Sequence, residues 1–262
     1  MHRGRRDVRF ADRVDAGRAL GALVAERIGD RADVVVLGLP RGGVPVAAEV
    51  ARAIGAALDV LLVRKVGVPG QPELAMGAVA AAGPGRDTPV EVVTNEPVRA
   101  RLQLPDAVFR SVLDQEMVEL RRRGRAYRGD RPPPAVRGRT VIIVDDGLAT
   151  GSTMRAAAAA VRRQQPAAVL VAVPVGASET CAELRSGGDV DDVICALSPH
   201  PFRAVHQGYH DFRQTTDDEV LACLTYHHGR MSPPGDRGRA GPGLGPDSAV
   251  EESPGSTGQG GC

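Results

Sequence analysis

The chain is poor in several residue types that commonly reveal a protein's class. Its 262 residues include no tryptophan, only 3% aromatic residues and four cysteines. The cysteines are scattered and form no Cys-x-x-Cys pair, so they show neither a disulfide framework nor a zinc site. No apolar run has the length of a membrane helix, and the basic N-terminal segment lacks the apolar region of a secretory signal. We therefore expect a cytoplasmic protein with no membrane partner.

The chain also has almost no excess of charge of one sign and only one lysine. The formal net charge is +1, which provides no general attraction to nucleic acid, so we expect no nucleic-acid partner. Of the 33 lysine and arginine residues, only Lys65 is a lysine. It follows the apolar run 58–63, at the carboxyl end of a predicted strand. Lysine carries a compact point charge, whereas the guanidinium of arginine is planar and forked, so the two are not interchangeable. The presence of a lysine at this position therefore suggests a functional need, and chance is the alternative.

Segments typical of strands and of helices alternate along the chain. Strands are predicted at 33–39, 58–63, 74–80, 90–93, 141–144, 167–173 and 190–197, and helices at 12–28, 44–54, 105–124, 154–163, 179–185 and 217–225. The repeated order of strand and helix predicts an α/β fold with a doubly wound, mainly parallel sheet. Residues 229–262 are rich in Gly, Pro and Ser and cannot bury enough apolar surface to offset the entropy of ordering. We therefore expect one domain over 1–228 and a disordered tail over 229–262.

The segment from Val141 to Thr153 carries the strongest functional signal. It reads Val-Ile-Ile-Val-Asp-Asp-Gly-Leu-Ala-Thr-Gly-Ser-Thr. Four β-branched residues predict a strand buried on both faces, so Asp145 and Asp146 would emerge at its carboxyl end, where open α/β sheets bind ligands. The glycine-containing loop and the next helix would supply free amides and a positive dipole for a phosphate. Together these features suit a phosphorylated sugar.

This segment resembles the phosphoribosyl pyrophosphate (PRPP) signature of type I phosphoribosyltransferases, in which two acids and a Thr-Gly-Ser/Thr loop follow a hydrophobic strand. The resemblance covers about residues 8–228. Within the family, the chain resembles above all the bacterial members whose acceptor is unassigned. It implies the family fold with a small hood, Mg²⁺ as cofactor, and PRPP and an acceptor as small-molecule substrates. It leaves a homodimer open. An ordinary turn in another doubly wound protein is the alternative, but a P-loop ATPase is excluded because the chain has no Gly-x-x-x-x-Gly-Lys-Ser/Thr loop.

The resemblance assigns roles within the signature. Asp145 and Asp146 would be catalytic residues that accept hydrogen bonds from the ribose hydroxyls and orient Mg²⁺ through water. The 5′-phosphate would be bound by the loop residues Ala149, Thr150, Gly151, Ser152 and Thr153. Some purine-salvage members carry an acid at the position of Ala149, so the methyl group here weakens a 6-oxopurine assignment.

A second element is the turn made by Pro40, Arg41, Gly42 and Gly43, which resembles the pyrophosphate loop of the family. Two glycines let main-chain amides approach a dense anion, and the guanidinium of Arg41 can fork onto phosphate oxygens. The resemblance implies a non-proline cis peptide between Pro40 and Arg41. It also gives Arg41 and Lys65 a catalytic role, in which they neutralise the departing pyrophosphate.

The remaining parts of the site are the lid and the hood. The Gly-Pro-Gly-Arg stretch within Ala81 to Pro89 would form a mobile lid that excludes water, with an ordinary solvated hairpin tip as the alternative. Phe202, Tyr209 and Phe212 would stack on the acceptor base, and Asp211 would reach Mg²⁺ through water or the base. Local packing of an irregular loop is the alternative for this group.

The implied activity is phosphoribosyl transfer from PRPP to a nucleobase-like nitrogen heterocycle, with Mg²⁺ and release of pyrophosphate. A non-catalytic protein that senses PRPP or a nucleotide on the same fold is one alternative. The other is a different α/β protein, such as a phosphotransfer domain, that uses the two aspartates only for Mg²⁺.

Overall fold

The computed structural model describes residues 9–31, 33–81, 90–129 and 131–231. Its helices are α1 (Arg13–Ile28), α2 (Gly43–Ile54), α3 (Glu96–Arg101), α4 (Asp106–Arg128), α5 (Ser152–Arg163), α6 (Ser178–Ser186) and α7 (Asp217–Met231). Its strands are β1 (Val34–Gly38), β2 (Ala57–Val60), β3 (Leu62–Val68), β4 (Gln71–Ala81), β5 (Val90–Thr94), β6 (Thr140–Val144), β7 (Ala168–Val175) and β8 (Asp192–Leu197). A 3₁₀ turn spans Val205–Gly208.

A parallel sheet of five strands, in the order β2-β1-β6-β7-β8, forms the centre of the fold. This confirms the predicted α/β class with a doubly wound, mainly parallel sheet. Every residue of β1 and of β6 is buried, as the runs of β-branched residues predicted. Gly38 pairs with Val144, so the two strands end level with one another. The turn after β1 and the acids after β6 therefore start from the same edge of the sheet.

Apolar side chains cover both faces of this sheet. On one face, Val36 and Ile142 belong to a core cluster that includes residues of α1, α2 and α7. On the other face, Val35 and Ile143 belong to a cluster that includes residues of α5 and α6. Because successive strand residues point to opposite faces, burial on both sides fixes the direction of every side chain in β1 and β6. The carboxyl ends of these strands are thus held by two cores at once.

A separate antiparallel sheet, β3-β4-β5, contains Lys65. Its presence contradicts the prediction that Lys65 lies at the carboxyl end of the strand 58–63. The predicted strand 58–63 is broken at Leu61, whose amide donates to the carbonyl of Gly38 over 3.0 Å. The break follows a buried ion pair, in which Arg128 of α4 donates to Asp59 of β2 over 2.9 Å. Lys65 consequently lies inside β3, paired with Ala78, and its predicted place at the carboxyl end of a strand was wrong. Residues 58–63 contain no glycine or proline that would mark the break, and Asp59 is their only polar residue.

Other differences concern the ends of elements. Helix α3 was not expected, and α7 continues to Met231, beyond the predicted end of the domain at residue 228. Residues 82–89 of the predicted lid and residues 232–262 of the predicted tail lie outside the described residues. Within the described ranges, no helix combines the length and the apolar character needed to cross a bilayer.

Candidate functional site

Two loops meet at the carboxyl edge of β1 and β6. The amide of Leu39 donates to the carbonyl of Val144 over 2.8 Å, which joins the first loop to the end of β6. A Cβ atom on Gly43 would lie 2.8 Å from the Cα of Asp145, and one on Gly42 would lie 1.9 Å from the Oδ2 of Asp146. Real side chains do not tolerate such distances. The two glycines are therefore required for the turn to touch the acid pair.

The turn has the expected cis peptide bond between Pro40 and Arg41, which confirms that prediction. The guanidinium of Arg41 is 4.0 Å from the carboxylate of Asp217 and one third exposed. Its side chain is therefore only loosely held. Lys65, in contrast, lines a cavity of about 700 Å³ together with Glu116 of α4. This places Lys65 beside α4, and its contact with pyrophosphate stays a prediction.

The two carboxylates of the acid pair have unequal surroundings. Burial, and then the adjacent charge of Asp146, raises the pKa of Asp145 well above its usual range. Burial also raises the pKa of Asp146, but Arg13 opposes this shift by ion pairing and hydrogen bonding. The amide of Asp146 donates to the Oδ1 of Asp145 over 2.9 Å and fixes the orientation of that side chain. The charged form of the pair is therefore disfavoured by its surroundings, and hydroxyl donors or an added cation would favour it.

Arg13, at the start of α1, is a functional candidate that the sequence reasoning missed. Its Nε and Nη2 atoms each lie 2.8 Å from the Oδ2 of Asp146. Its Nη1 donates to the carbonyl of Arg213 over 2.7 Å, and its guanidinium lies 4.1 Å from the centroid of the Phe212 ring. One side chain therefore connects the acid pair to the hood. No local motif around Arg13 signals this role in a chain so rich in arginine.

The aromatic residues of the hood do not behave alike. Tyr209 is buried, and its hydroxyl donates to the carbonyl of Asp146 over 2.6 Å. It supports the acid pair and presents no open face for stacking, and burial raises its pKa far above the usual value. Phe212 packs on Tyr209 with ring centroids 4.8 Å apart, and Phe202 joins the same cluster. Base stacking by the half-buried Phe202 and Phe212 stays a prediction.

Asp211 is exposed, and its carboxylate accepts a hydrogen bond from the amide of Arg213 over 3.0 Å. Among the residues that the structure describes, no three His, Cys, Asp or Glu side chains converge as a metal site. The structure therefore does not assemble Asp211 with Asp145 and Asp146 into one ligand set. A role for Asp211 through an intervening water stays a prediction.

The predicted phosphate loop runs from Ala149 into α5. Gly151 adopts a left-handed conformation with φ of 71°, and within the described residues no side chain caps this helix. The amides of Ser152 and Thr153 are thus left for a ligand, because the first amides of a helix have no partner within it. The hydroxyl of Thr180 in α6 donates to the carbonyl of Ala149 over 2.7 Å and fixes the back of the loop.

The hydroxyls of the loop converge as well. The Oγ1 of Thr150 lies 3.3 Å from the Oγ of Ser152, so both can donate to one anion. The five predicted phosphate-binding residues, Ala149 to Thr153, lie together at the start of α5.

Known proteins are similar to this chain over most of its length. Residues 11–197 match the model of the family described as "Phosphoribosyl transferase domain". Two proteins from Mycobacterium tuberculosis strains CDC 1551 / Oshkosh and ATCC 25618 / H37Rv, provisionally named phosphoribosyl transferases, are each 45% identical over 219 residues. The match covers 84% of this chain and 47% of each relative, so the chain spans about half the length of these relatives.

A solved structure is similar over a larger share of its own length. The crystal structure of the protein TT1426 from Thermus thermophilus is 41% identical and has a TM-score of 0.71. The match covers 83% of this chain and 98% of that chain. The fold of the described residues is therefore one that an experimental structure also has.

Proposed function

The chain belongs to the phosphoribosyl transferase family, and from that premise we propose that it transfers the 5-phosphoribosyl group of PRPP to a nitrogen of a nucleobase-like heterocycle and releases pyrophosphate. One observation carries this proposal: the turn at Gly42 and Gly43 touches Asp145 and Asp146, and the phosphate loop follows the acids directly. A donor that carries a phosphate, two ring hydroxyls and a pyrophosphate fits these three neighbouring parts.

Each part of PRPP has a matching group. The amides of α5 and the hydroxyls of Thr150 and Ser152 would bind the 5′-phosphate. Asp145 and Asp146 would accept hydrogen bonds from the ribose hydroxyls, which are stronger because the acceptors are charged. The amide of Gly42 and the guanidinium of Arg41 would bind the pyrophosphate, because the amide of Gly43 already donates to the carbonyl of Leu39 over 3.0 Å.

Mg²⁺ fits the donor set of the site, because hard cations prefer carboxylate oxygens. Asp145 and Asp146 would hold it together with oxygens of the substrate and water. When bound, the ion supplies positive charge to the leaving pyrophosphate. The raised pKa values of Asp145 and Asp146 support this proposal, because the buried pair is charged only at a cost, which a bound cation would offset.

The reaction breaks the bond between C1 of the ribose and the pyrophosphate oxygen, and a bond from the acceptor nitrogen to C1 replaces it. Positive charge develops on the ribose ring and negative charge on the pyrophosphate. Arg41, the amide of Gly42 and Lys65 would stabilise the leaving group, while the carboxylates hold the ring in position. The acceptor would lie against Phe202 and Phe212, which offer an apolar face.

Pyrophosphate release from PRPP and Mg²⁺ tests the proposal when it is measured across a panel of purines, pyrimidines and other nitrogen heterocycles. We expect PRPP with Mg²⁺ to bind in calorimetry and at least one acceptor to release pyrophosphate with formation of its ribonucleotide. Binding without turnover for every acceptor would instead favour the sensing protein. Absence of PRPP binding would contradict both functions.

The Arg13→Lys variant should bind PRPP about tenfold more weakly, seen as a higher KM in the pyrophosphate assay. Lysine keeps the charge but cannot contact Asp146, the carbonyl of Arg213 and the ring of Phe212 at the same time. Arg18→Lys is the matched control, because Arg18 lies on the same helix and is largely exposed. Equal KM values for the two variants would show that Arg13 does not position the acid pair.

A further inference from the structure

Two cysteines that are distant in sequence meet behind the phosphate loop. Cys181 lies in α6 and Cys195 in β8. A Cβ atom on Gly176 would lie 3.1 Å from both Sγ atoms. The absence of a side chain at Gly176 therefore leaves the space in which the two sulfurs approach each other.

The two thiols differ in exposure. Cys181 is buried, whereas Cys195 is half-buried and lines a surface cavity of about 430 Å³ with Arg27 and Arg185. Its Sγ also lies 3.5 Å from the hydroxyl of Ser198. A small polar oxidant can therefore reach Cys195 through the cavity. Cys181 is buried and is available as the second thiol.

The two thiols also differ in the direction in which their pKa values are shifted. The pKa of Cys195 is lowered, chiefly because Cys181 donates to its sulfur and because the hydroxyl of Ser198 adds a further hydrogen bond. The pKa of Cys181 is raised by the same hydrogen bond and by burial. Since the thiolate is the nucleophile, Cys195 is the sulfur that reacts first.

We propose that Cys195 and Cys181 form a peroxide-sensitive pair that closes reversibly to a disulfide. The thiolate of Cys195 attacks one oxygen of a hydroperoxide, the O–O bond breaks, and with hydrogen peroxide hydroxide leaves and is protonated to water. The sulfenic acid of Cys195 then reacts with the thiol of Cys181, and the S–S bond forms as a second water leaves. Two thiols lose two electrons in total, and one hydrogen peroxide is reduced to two water molecules.

The residue that precedes Cys181 contacts the predicted phosphate loop. Thr180, next to Cys181, donates to the carbonyl of Ala149, and a Cβ on Gly151 would lie 2.7 Å from its methyl group. The amide of Gly176 donates to the carbonyl of Leu197 at the end of β8 over 3.0 Å. A bond that draws Cys181 toward Cys195 therefore displaces the residue that supports the loop. This consequence rests on the proposed function, whereas the oxidation itself does not.

The oxidation is tested in the full chain with Cys223→Ser and Cys262→Ser, which leaves only the pair, since the chain has four cysteines. After graded hydrogen peroxide, non-reducing peptide mapping should find Cys181 linked to Cys195, and dithiothreitol should reverse the linkage. In a further Cys181→Ser variant, dimedone should trap a sulfenic acid at Cys195. In a Cys195→Ser variant, Cys181 should stay reduced at the same dose. Linkage between different molecules, or first oxidation at Cys181, would overturn the proposal.

Calorimetry with PRPP and Mg²⁺ tests the connection to the loop. The oxidised pair should bind PRPP about five- to tenfold more weakly than the reduced pair, as expected when one supporting hydrogen bond is lost. Unchanged affinity with a complete disulfide would overturn the connection. If the reduced protein does not bind PRPP at all, the proposed function fails, while the peptide map still decides the disulfide.

Discussion

The Asp145→Asn variant is expected to lower kcat/KM for PRPP by about 10²- to 10³-fold, the cost typical of removing one charged or oriented group from a reacting site. Asparagine has the same shape and can still accept the hydrogen bond that the amide of Asp146 makes to Asp145. It removes the charge that would bind a ribose hydroxyl or Mg²⁺. Steady-state release of pyrophosphate measures the change.

The folded state should not lose stability in this variant. The carboxylate of Asp145 is desolvated and lies beside that of Asp146, which is why its pKa is raised. Removing one of two neighbouring charges relieves both the desolvation and the repulsion, so Tm should stay equal or rise. The control is Asp114→Asn on the exposed side of α4, for which both Tm and kinetics should stay unchanged. Unchanged PRPP kinetics for Asp145→Asn, or a loss of activity that only follows a loss of Tm, would contradict the proposed role.

The residues at the carboxyl edge of β1 and β6 could be predicted because short, continuous stretches of sequence determine them. The β-branched run before Asp145 and the run before Pro40 predict two strands buried on both faces, and parallel strands bring their carboxyl ends to one edge. The contact between Gly42 and Asp146 follows from that arrangement. The sequence therefore led to the acid pair, the turn and the phosphate loop as one candidate site.

The remaining features depend on residues that are far apart in the chain. Arg13 contacts Asp146 across 133 positions, and Arg128 pairs with Asp59 across 69 positions where β2 ends. Neither contact has a local signature, because an arginine in a helix has the same sequence pattern whether it faces solvent or a buried acid. The predicted position of Lys65 was wrong for the same reason. Its strand, β3, begins after the break at Leu61, and this break lies next to the ion pair between Arg128 and Asp59.

The Gly42→Ala variant is expected to lower kcat/KM for PRPP by about 10²-fold, because displacement of a reacting group by about 1 Å can cost that much. The backbone of Gly42 has φ of −61° and ψ of −32°, which alanine adopts without strain. Its only obstacle is space, since the added Cβ would lie 1.9 Å from the Oδ2 of Asp146. That oxygen cannot retreat freely, because Arg13 holds it with two contacts of 2.8 Å.

The acid pair and the turn must therefore separate in Gly42→Ala, and the ribose and pyrophosphate parts of the site lose their common geometry. Gly229→Ala is the matched control, because Gly229 lies within α7 and an added Cβ there meets nothing within 4 Å. That variant should keep its kinetics and gain about 0.5–1 kcal/mol of helix stability. Kinetics for Gly42→Ala equal to those of Gly229→Ala would mean that the turn does not touch Asp146 in the working protein. A loss confined to Gly42→Ala, with PRPP binding weakened in calorimetry, would tie the activity to this one contact.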